Sequence, residues 1–192
     1  VIIAGKQPFY EEIDRYFSKI EPGKIPRMQK LVARFPDKKV ISQHKGNESV
    51  YVMQSVPAPG YKKDDSYVLS VIRAILDRPM SGRLNVATRI HEGLVYSINC
   101  MYSASLDYGI FGVAYSTAKE NLKKCNKIVL GELVKAGKIN DSELKNSKNN
   151  LKGSIMRIKE SVKGMIEMLA FWDAIGDVSL FDKIIPRIMR ID

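Results

Sequence analysis

Two strand-like runs joined by a tight turn constrain the fold of this chain more than any other feature. Leu94 to Asp107 and Gly109 to Thr117 are rich in β-branched, aromatic and small residues, with a short Asp-Tyr-Gly turn between them. This spacing predicts an antiparallel hairpin. An antiparallel sheet follows, because parallel neighbours would need a long crossover connection.

The rest of the main unit supplies a further strand and several helices. Asn47 to Gly60 predicts a strand that ends at Pro57 and Pro59, and apolar residues then recur at helical spacing. The predicted fold class is α+β, an antiparallel sheet with helices packed mainly on one face. The helical features are a stripe of Val68, Val71, Ile72, Ile75 and Leu76, a helix from Gly82 to Glu92, a helix through Leu122 to Leu133, a capping box at Asn140 and Glu143, a break near Ser161 to Gly164, and a final helix from Leu180 to Met189.

Composition changes divide the chain into three parts. Residues 1–20 predict a short strand, Val1 to Ala4, and a helix that belong to a preceding unit. Residues 21–46 are rich in proline and predict a linker, and residues 47–192 form the main domain. Because the chain starts in an apolar run without Met or a leader, we expect a fragment of a longer protein.

Charge and cysteine content narrow the class of protein. The formal charge is +10, but the lysines are spread along predicted helices without interleaved aromatic residues. This pattern favours a solvated face over a nucleic-acid partner. No apolar run reaches the length of a membrane span, so no membrane partner is expected. Cys100 and Cys125 predict buried, reduced thiols, which favours a reducing compartment and a cytoplasmic location.

The two histidines do not form a zinc motif. An H-E-x-x-H motif at His91 would need a second histidine where Val95 stands. An H-x-x-E-H motif at His44 would need glutamate and histidine where Asn47 and Glu48 stand. P-loop and nucleophilic-serine motifs are also missing. We therefore expect no metal site on this chain.

The stretch SGRLNVATRIHEGLVYSI, from Ser81 to Ile98, predicts a helix, a glycine stop at Gly93 and a strand. Arg89 and Tyr96 lie on either side of this stop. Arg89 could bond the last helix carbonyls, or present its donors to a bound peptide. The Tyr96 hydroxyl could donate to an oxyanion. Strand alternation instead places its ring on a predicted core face, shared by Leu94, Tyr96, Ile98, Cys100, Tyr102 and Ala104.

Three segments together resemble the insulinase/pitrilysin zinc metallopeptidases, a group that includes the mitochondrial processing peptidase. SGRLNVATRIHEGLVYSI is similar to the family signature S-S-R-L-x-x-x-L-R-E-x-x-G-L-x-Y-S-V. SLDYGIFGVAYSTAKENLKKC resembles D-x-G-x-F-x-I-x-x-x-T-x-x-x-N, and GKINDSELKNSKNNLKGSI resembles G-x-T-x-x-E-L-x-x-A-K-x-x-L. The start of the chain is similar to the strand and helix that precede the linker between the two halves of the family.

The resemblance implies the carboxy-terminal, non-zinc half of a clam-shell metallopeptidase. The other half would supply the zinc, and the two halves would close over an unfolded peptide. By resemblance, Arg89 and Tyr96 bind substrate, and Gly93 and Leu94 support the turn between them. Ile90 departs from the pattern, because an acidic residue usually follows the arginine, and this removes a possible partner of Arg89.

We therefore expect the substrate-contacting half of a zinc metalloendopeptidase, inactive on its own, with no catalytic residue on this chain. Its expected partners are a peptide and the zinc-bearing half, and a second copy of the chain is an alternative partner. The family also contains non-catalytic members, so a structural or peptide-binding subunit without protease activity is the alternative function.

Overall fold

The computed structural model describes residues 10–21, 23–24, 34, 46 and 48–192. The predicted strand Val1 to Ala4, His44 and most of the linker lie outside these residues. The elements in chain order are α1 (Tyr10–Phe17), β1 (Ser49–Pro59), α2 (Asp65–Leu76), α3 (Arg83–Asn85), a π-helix (Val86–Ile90), β2 (Val95–Ala104), β3 (Tyr108–Ala118), a 3-10 turn (Lys119–Asn121), α4 (Leu122–Lys135), α5 (Asp141–Glu160), α6 (Val162–Ile175) and α7 (Leu180–Met189).

The three strands form an antiparallel sheet in the order β1-β3-β2, with β3 in the centre. Phe111, Val113, Tyr115 and Thr117 of β3 are buried on the side covered by helices, which we call the helix face. The opposite side is called the outer face. The predicted hairpin and the predicted α+β class, with helices on one face of an antiparallel sheet, are confirmed.

Strand β1 ends at Pro59, as predicted, with Pro57 inside its last paired segment. Pro57 pairs with Ile110, and Pro59 pairs with Tyr108. The sheet accommodates both prolines because β1 is an edge strand. One row of its backbone N–H groups needs no partner in the sheet, so proline is tolerated there.

Helix α2 packs on two sides, against the sheet and against α5 and α7. The predicted stripe is right at Val71, Ile75 and Leu76, which are buried, but wrong at Val68, which is 38% exposed. Tyr67 is buried in its place, among the apolar residues of α7. A single apolar stripe cannot describe a helix that is covered from two directions.

The predicted break in the long helical run is confirmed at Ser161. Helix α5 ends at Glu160, and the Ser161 side chain accepts a hydrogen bond of 3.2 Å from the Gly164 N–H at the start of α6. One serine thus ends one helix and caps the next. The capping box of Asn140 and Glu143 at the start of α5 is also confirmed.

Both cysteines are free and buried, as predicted. Burial raises the pKa of the Cys100 thiol to about 12 and raises the pKa of Cys125. Since the thiolate is the reactive form, we expect a thiol reagent at pH 8 to label the folded chain roughly 10²-fold more slowly than the urea-unfolded chain. Time-resolved absorbance of the released chromophore measures this, and equal rates in the two states would contradict it.

Candidate functional site

The helix that carries Arg89 widens into a π-helix before it ends. The His91 N–H donates to the carbonyl oxygen of Val86 at 3.0 Å, five residues back, and Thr88 Oγ1 donates to the carbonyl oxygen of Leu84 at 2.7 Å. Thr88 is fully buried, whereas Arg89 is exposed. The predicted helix is therefore present but not regular, and π-helical turns are frequent at functional sites.

Gly93 ends this helix in the left-handed conformation, with φ 60°, as its position predicted. Its N–H donates to the carbonyl oxygen of Arg89 at 3.1 Å, and the Leu94 N–H donates to that of Thr88 at 2.8 Å. Leu94 is buried in the core beneath the sheet. Gly93 and Leu94 thus join the π-helix to β2 by a short, hydrogen-bonded turn.

Tyr96 points into solvent, so its predicted place on the core face was wrong. Val95 pairs with Thr117 and Ser97 pairs with Ser116, the next residue of β3, so Tyr96 is an extra residue in β2. This β-bulge shifts the alternation by one position. Val95 is buried on the helix face, and Tyr96 is 65% exposed. From Ile98 to Ala104 the predicted alternation resumes.

The π-helix and the bulge therefore leave Arg89 and Tyr96 exposed on either side of one turn. Within the described part of the chain, neither side chain makes a hydrogen bond or an ion pair. Arg89 does not bond the carbonyls at the end of its own helix, which was one of its two interpretations. Both side chains are free to donate hydrogen bonds to a bound molecule.

A partly buried arginine, Arg83, holds the start of the helix that leads to Arg89. Arg83 Nε donates to Glu143 Oε1 at 2.7 Å, and Arg83 Nη2 donates to Glu143 Oε2 at 2.6 Å. Its other donors reach the carbonyl oxygens of Lys135 at 3.0 Å and Lys138 at 3.2 Å, where α4 ends. This fork ties three helices together. We did not predict the contact, although Arg83 and Glu143 both lie in the segments that resemble the family.

The pair of Arg83 and Glu143 predicts a pH dependence of stability. The hydrogen bonds from Arg83 hold the pKa of the Glu143 carboxyl below its ordinary value. A lowered folded-state pKa stabilises the fold above the unfolded-state pKa, about 4.3. That contribution is lost as the pH falls through the lowered value. We expect the stability difference between the wild type and Glu143→Gln to shrink below about pH 5.

Urea unfolding between pH 3 and pH 7 measures that difference. Glu160 on the same helix is exposed and makes no ion pair among the described residues, so Glu160→Gln is the control. If the stability difference between the wild type and Glu143→Gln stays constant down to pH 3, the lowered pKa of Glu143 is contradicted.

The described residues do not fit a zinc ion. His91 is the one histidine among them, and they contain no group of three or more histidine, cysteine, aspartate or glutamate side chains that could hold a metal. None of the described helices has the length and apolar character to cross a bilayer.

Comparison with known proteins identifies the family. Residues 2–151 match the family described as the peptidase M16 inactive domain. An uncharacterized zinc protease of Bacillus subtilis (strain 168), YmxG, is 27% identical over 166 residues, which is 84% of this chain and 40% of the relative. The chain thus spans less than half of that protein.

Solved structures share the fold, among them the following two. A protease from Helicobacter pylori superposes with a TM-score of 0.80 at 18% identity, covering 98% of this chain and 47% of that one. A chain of complex III2 from Candida albicans superposes with a TM-score of 0.66 at 17% identity, covering 78% of this chain and 38% of that one. With the family match over most of its length, the chain belongs to the peptidase M16 inactive-domain family.

Proposed function

We propose that this domain is the substrate-contacting, non-catalytic half of a zinc metalloendopeptidase that hydrolyses or processes peptides. The observation that supports this most directly is the turn at Gly93. It leaves Arg89 and Tyr96 exposed and without hydrogen-bond partners in the described part of the chain. Both positions match the substrate-binding arginine and tyrosine of the family signature.

In this proposal the two side chains have different tasks. The planar guanidinium of Arg89 donates to backbone carbonyls of an extended peptide. The hydroxyl of Tyr96 donates to the carbonyl oxygen as it gains charge during attack. Gly93 and Leu94 hold the turn. Zinc and the activation of water belong to the other half, so this domain alone hydrolyses nothing.

The experiment is an activity assay on the full-length protein that contains this domain. It should cleave an unstructured, internally quenched peptide, lose that activity with a zinc chelator and recover it when zinc is added. The isolated domain should be inactive. A full-length protein that carries zinc and cleaves no peptide of a diverse library would contradict the proposal.

A structural or peptide-binding subunit without protease activity is the second candidate. It is favoured by the similarity of the fold to a chain of complex III2 from Candida albicans. The two candidates differ in the rest of the protein. An H-x-x-E-H motif within about one domain length before this chain supports the protease, and its absence there and in neighbouring genes supports the subunit.

A further inference from the structure

The three strands contain no charged residue on either face, although 27% of the whole chain is charged. An antiparallel sheet with one face in solvent normally alternates apolar and polar positions. Here the helix face is covered by the core, whereas the outer-face side chains in the middle of β1 are exposed among the described residues. Tyr51 is 76% exposed and Met53 is 57% exposed. An exposed, uncharged face of this kind indicates an interaction surface.

The strand register gives the outer face a shallow trough. Along its centre, β3 presents the small residues Gly112, Ala114 and Ser116. A side chain at position 112 would meet the Gln54 carbonyl oxygen at 2.5 Å, so the floor stays low there. Each floor residue pairs with at least one larger residue on a flanking strand, and these larger residues form the walls. They are Tyr51 and Met53 on β1, and Asn99 and Met101 on β2, whereas the paired residues Ser55 and Ser97 are small.

The trough is continuous with the turn that bears Arg89 and Tyr96. Ser97, the residue after Tyr96, pairs with Ser116 of the trough floor, and their hydroxyl oxygens lie 2.9 Å apart. A peptide held at Tyr96 can therefore continue in an extended conformation along β3. Tyr51 pairs with the same Ser116, so it lies at this end of the trough.

We propose that the trough selects the peptide: it receives a stretch without charged side chains, and Tyr51 and Met53 are its specificity-determining residues. This rests on the proposed function. An aromatic ring and a flexible thioether accept apolar side chains of varied shape. A charged side chain would lose water against a surface that offers no counter-charge. Among the described residues, eight lysines lie on α4 and α5, and none lies in the three strands.

Binding to the full-length protein tests the trough separately from catalysis. A zinc chelator stops hydrolysis, and fluorescein-labelled peptides of about twelve residues report binding by anisotropy. One peptide is built from Leu, Phe, Ser and Gln, and two matched peptides carry Lys or Glu at alternate positions. We expect the neutral peptide to bind about tenfold more tightly than either charged one, since each poorly paired charge costs affinity.

The variant Met53→Glu should weaken the neutral peptide and strengthen the lysine peptide, so that their order of affinity reverses. Val134→Glu is the matched control, because Val134 is 80% exposed on α4 and the net charge changes equally. Tyr51→Ser should weaken the neutral peptide without favouring either charge. Near-ultraviolet circular dichroism shows whether each variant keeps the fold.

Three results would contradict the proposal that the trough selects the peptide. They are equal binding of all three peptides, no peptide binding at all, or a Met53→Glu variant that behaves like Val134→Glu. Failure of the proposed function looks different. If the peptides bind tightly and according to their charge, but none is hydrolysed after zinc is restored, the protease function is contradicted and peptide selection by the trough is supported. If all three peptides are hydrolysed at equal rates and Met53→Glu changes nothing, the protease function is supported and peptide selection by the trough is contradicted.

Discussion

Replacing Tyr96 by phenylalanine in the full-length protein should lower peptide turnover by about 10²-fold or more, as the loss of one oxyanion donor does. The melting temperature should stay unchanged, because the side chain is 65% exposed and its hydroxyl bonds no other described residue. Arg89→Ala should reduce kcat/KM by a comparable factor. Steady-state kinetics and a thermal melt measure the two effects, and the zinc content should be the same in each variant.

Matched substitutions elsewhere in the chain show whether the loss of turnover is specific to Tyr96 and Arg89. Tyr10→Phe on α1 removes a hydroxyl from a tyrosine that is 74% exposed, and Arg190→Ala removes an exposed arginine beyond α7. Both should keep wild-type turnover. A Tyr96→Phe protein with full activity and a lowered melting temperature would show that Tyr96 serves the fold and not the substrate.

Arg83→Ala should destabilise the domain by about 3 kcal/mol, the range expected for hydrogen bonds to a charged group. The Arg83 side chain is 18% exposed, and its loss removes the ion-pair partner of Glu143, whose carboxylate keeps, among the described residues, only its hydrogen bonds from Asn140. It also removes the Arg83 donors to the carbonyl oxygens of Lys135 and Lys138, although the Lys135 oxygen still accepts from the Lys138 N–H at 2.8 Å. Unfolding in guanidinium measures the loss of stability, and the dependence of the unfolding free energy on denaturant concentration should not change.

A second ion pair provides the comparison. Arg187 lies 3.3 Å from Asp64, whose side chain is 87% exposed. Removing Asp64 should therefore cost below about 1 kcal/mol. Arg83→Ala and Glu143→Ala should also combine with less than the sum of their separate effects, since each removes the same bonds. The stabilising role of Arg83 would be contradicted if the two effects were additive. It would also be contradicted if Arg83→Ala lost no more stability than Asp64→Ala.

Because Arg83 stands at the start of the helix that carries Arg89, we also expect its loss to disturb the position of Arg89. Arg83 begins the helix that runs through the π-helix to Arg89. The conservative variant Arg83→Lys retains the charge but not the two-pronged geometry. We expect it to recover only part of the stability, because a lysine cannot bond both carboxylate oxygens and both carbonyls at once.

Most local features of this fold follow from neighbouring residues, and they could be predicted. The hairpin depends on a tight turn between two strand-forming runs. The stop at Gly93 needs a left-handed residue, and Ser161 and Asn140 are helix caps. Each of these signals involves residues only a few positions apart, so the sequence carries it directly. The family signature likewise located the candidate site.

The orientation of Tyr96 could not be predicted in the same way. A strand's alternation holds only while its pairing register is continuous, and the bulge at Tyr96 adds one residue to β2 against β3. That addition depends on how β2 meets its partner strand and on the burial of Leu94 and Val95. Likewise, one apolar stripe on α2 could not reveal two packing surfaces.

The sequence by itself predicted most of the described elements, their antiparallel connection and the pair of residues at the candidate site. Tertiary structure alone decided that Tyr96 faces solvent, that Arg83 reaches Glu143 sixty positions away, and that uncharged strands form a trough on the exposed face. The physical reason is the range of the forces involved. Turns and caps are satisfied by nearby backbone groups, whereas register, burial and ion pairing depend on which distant surfaces come together.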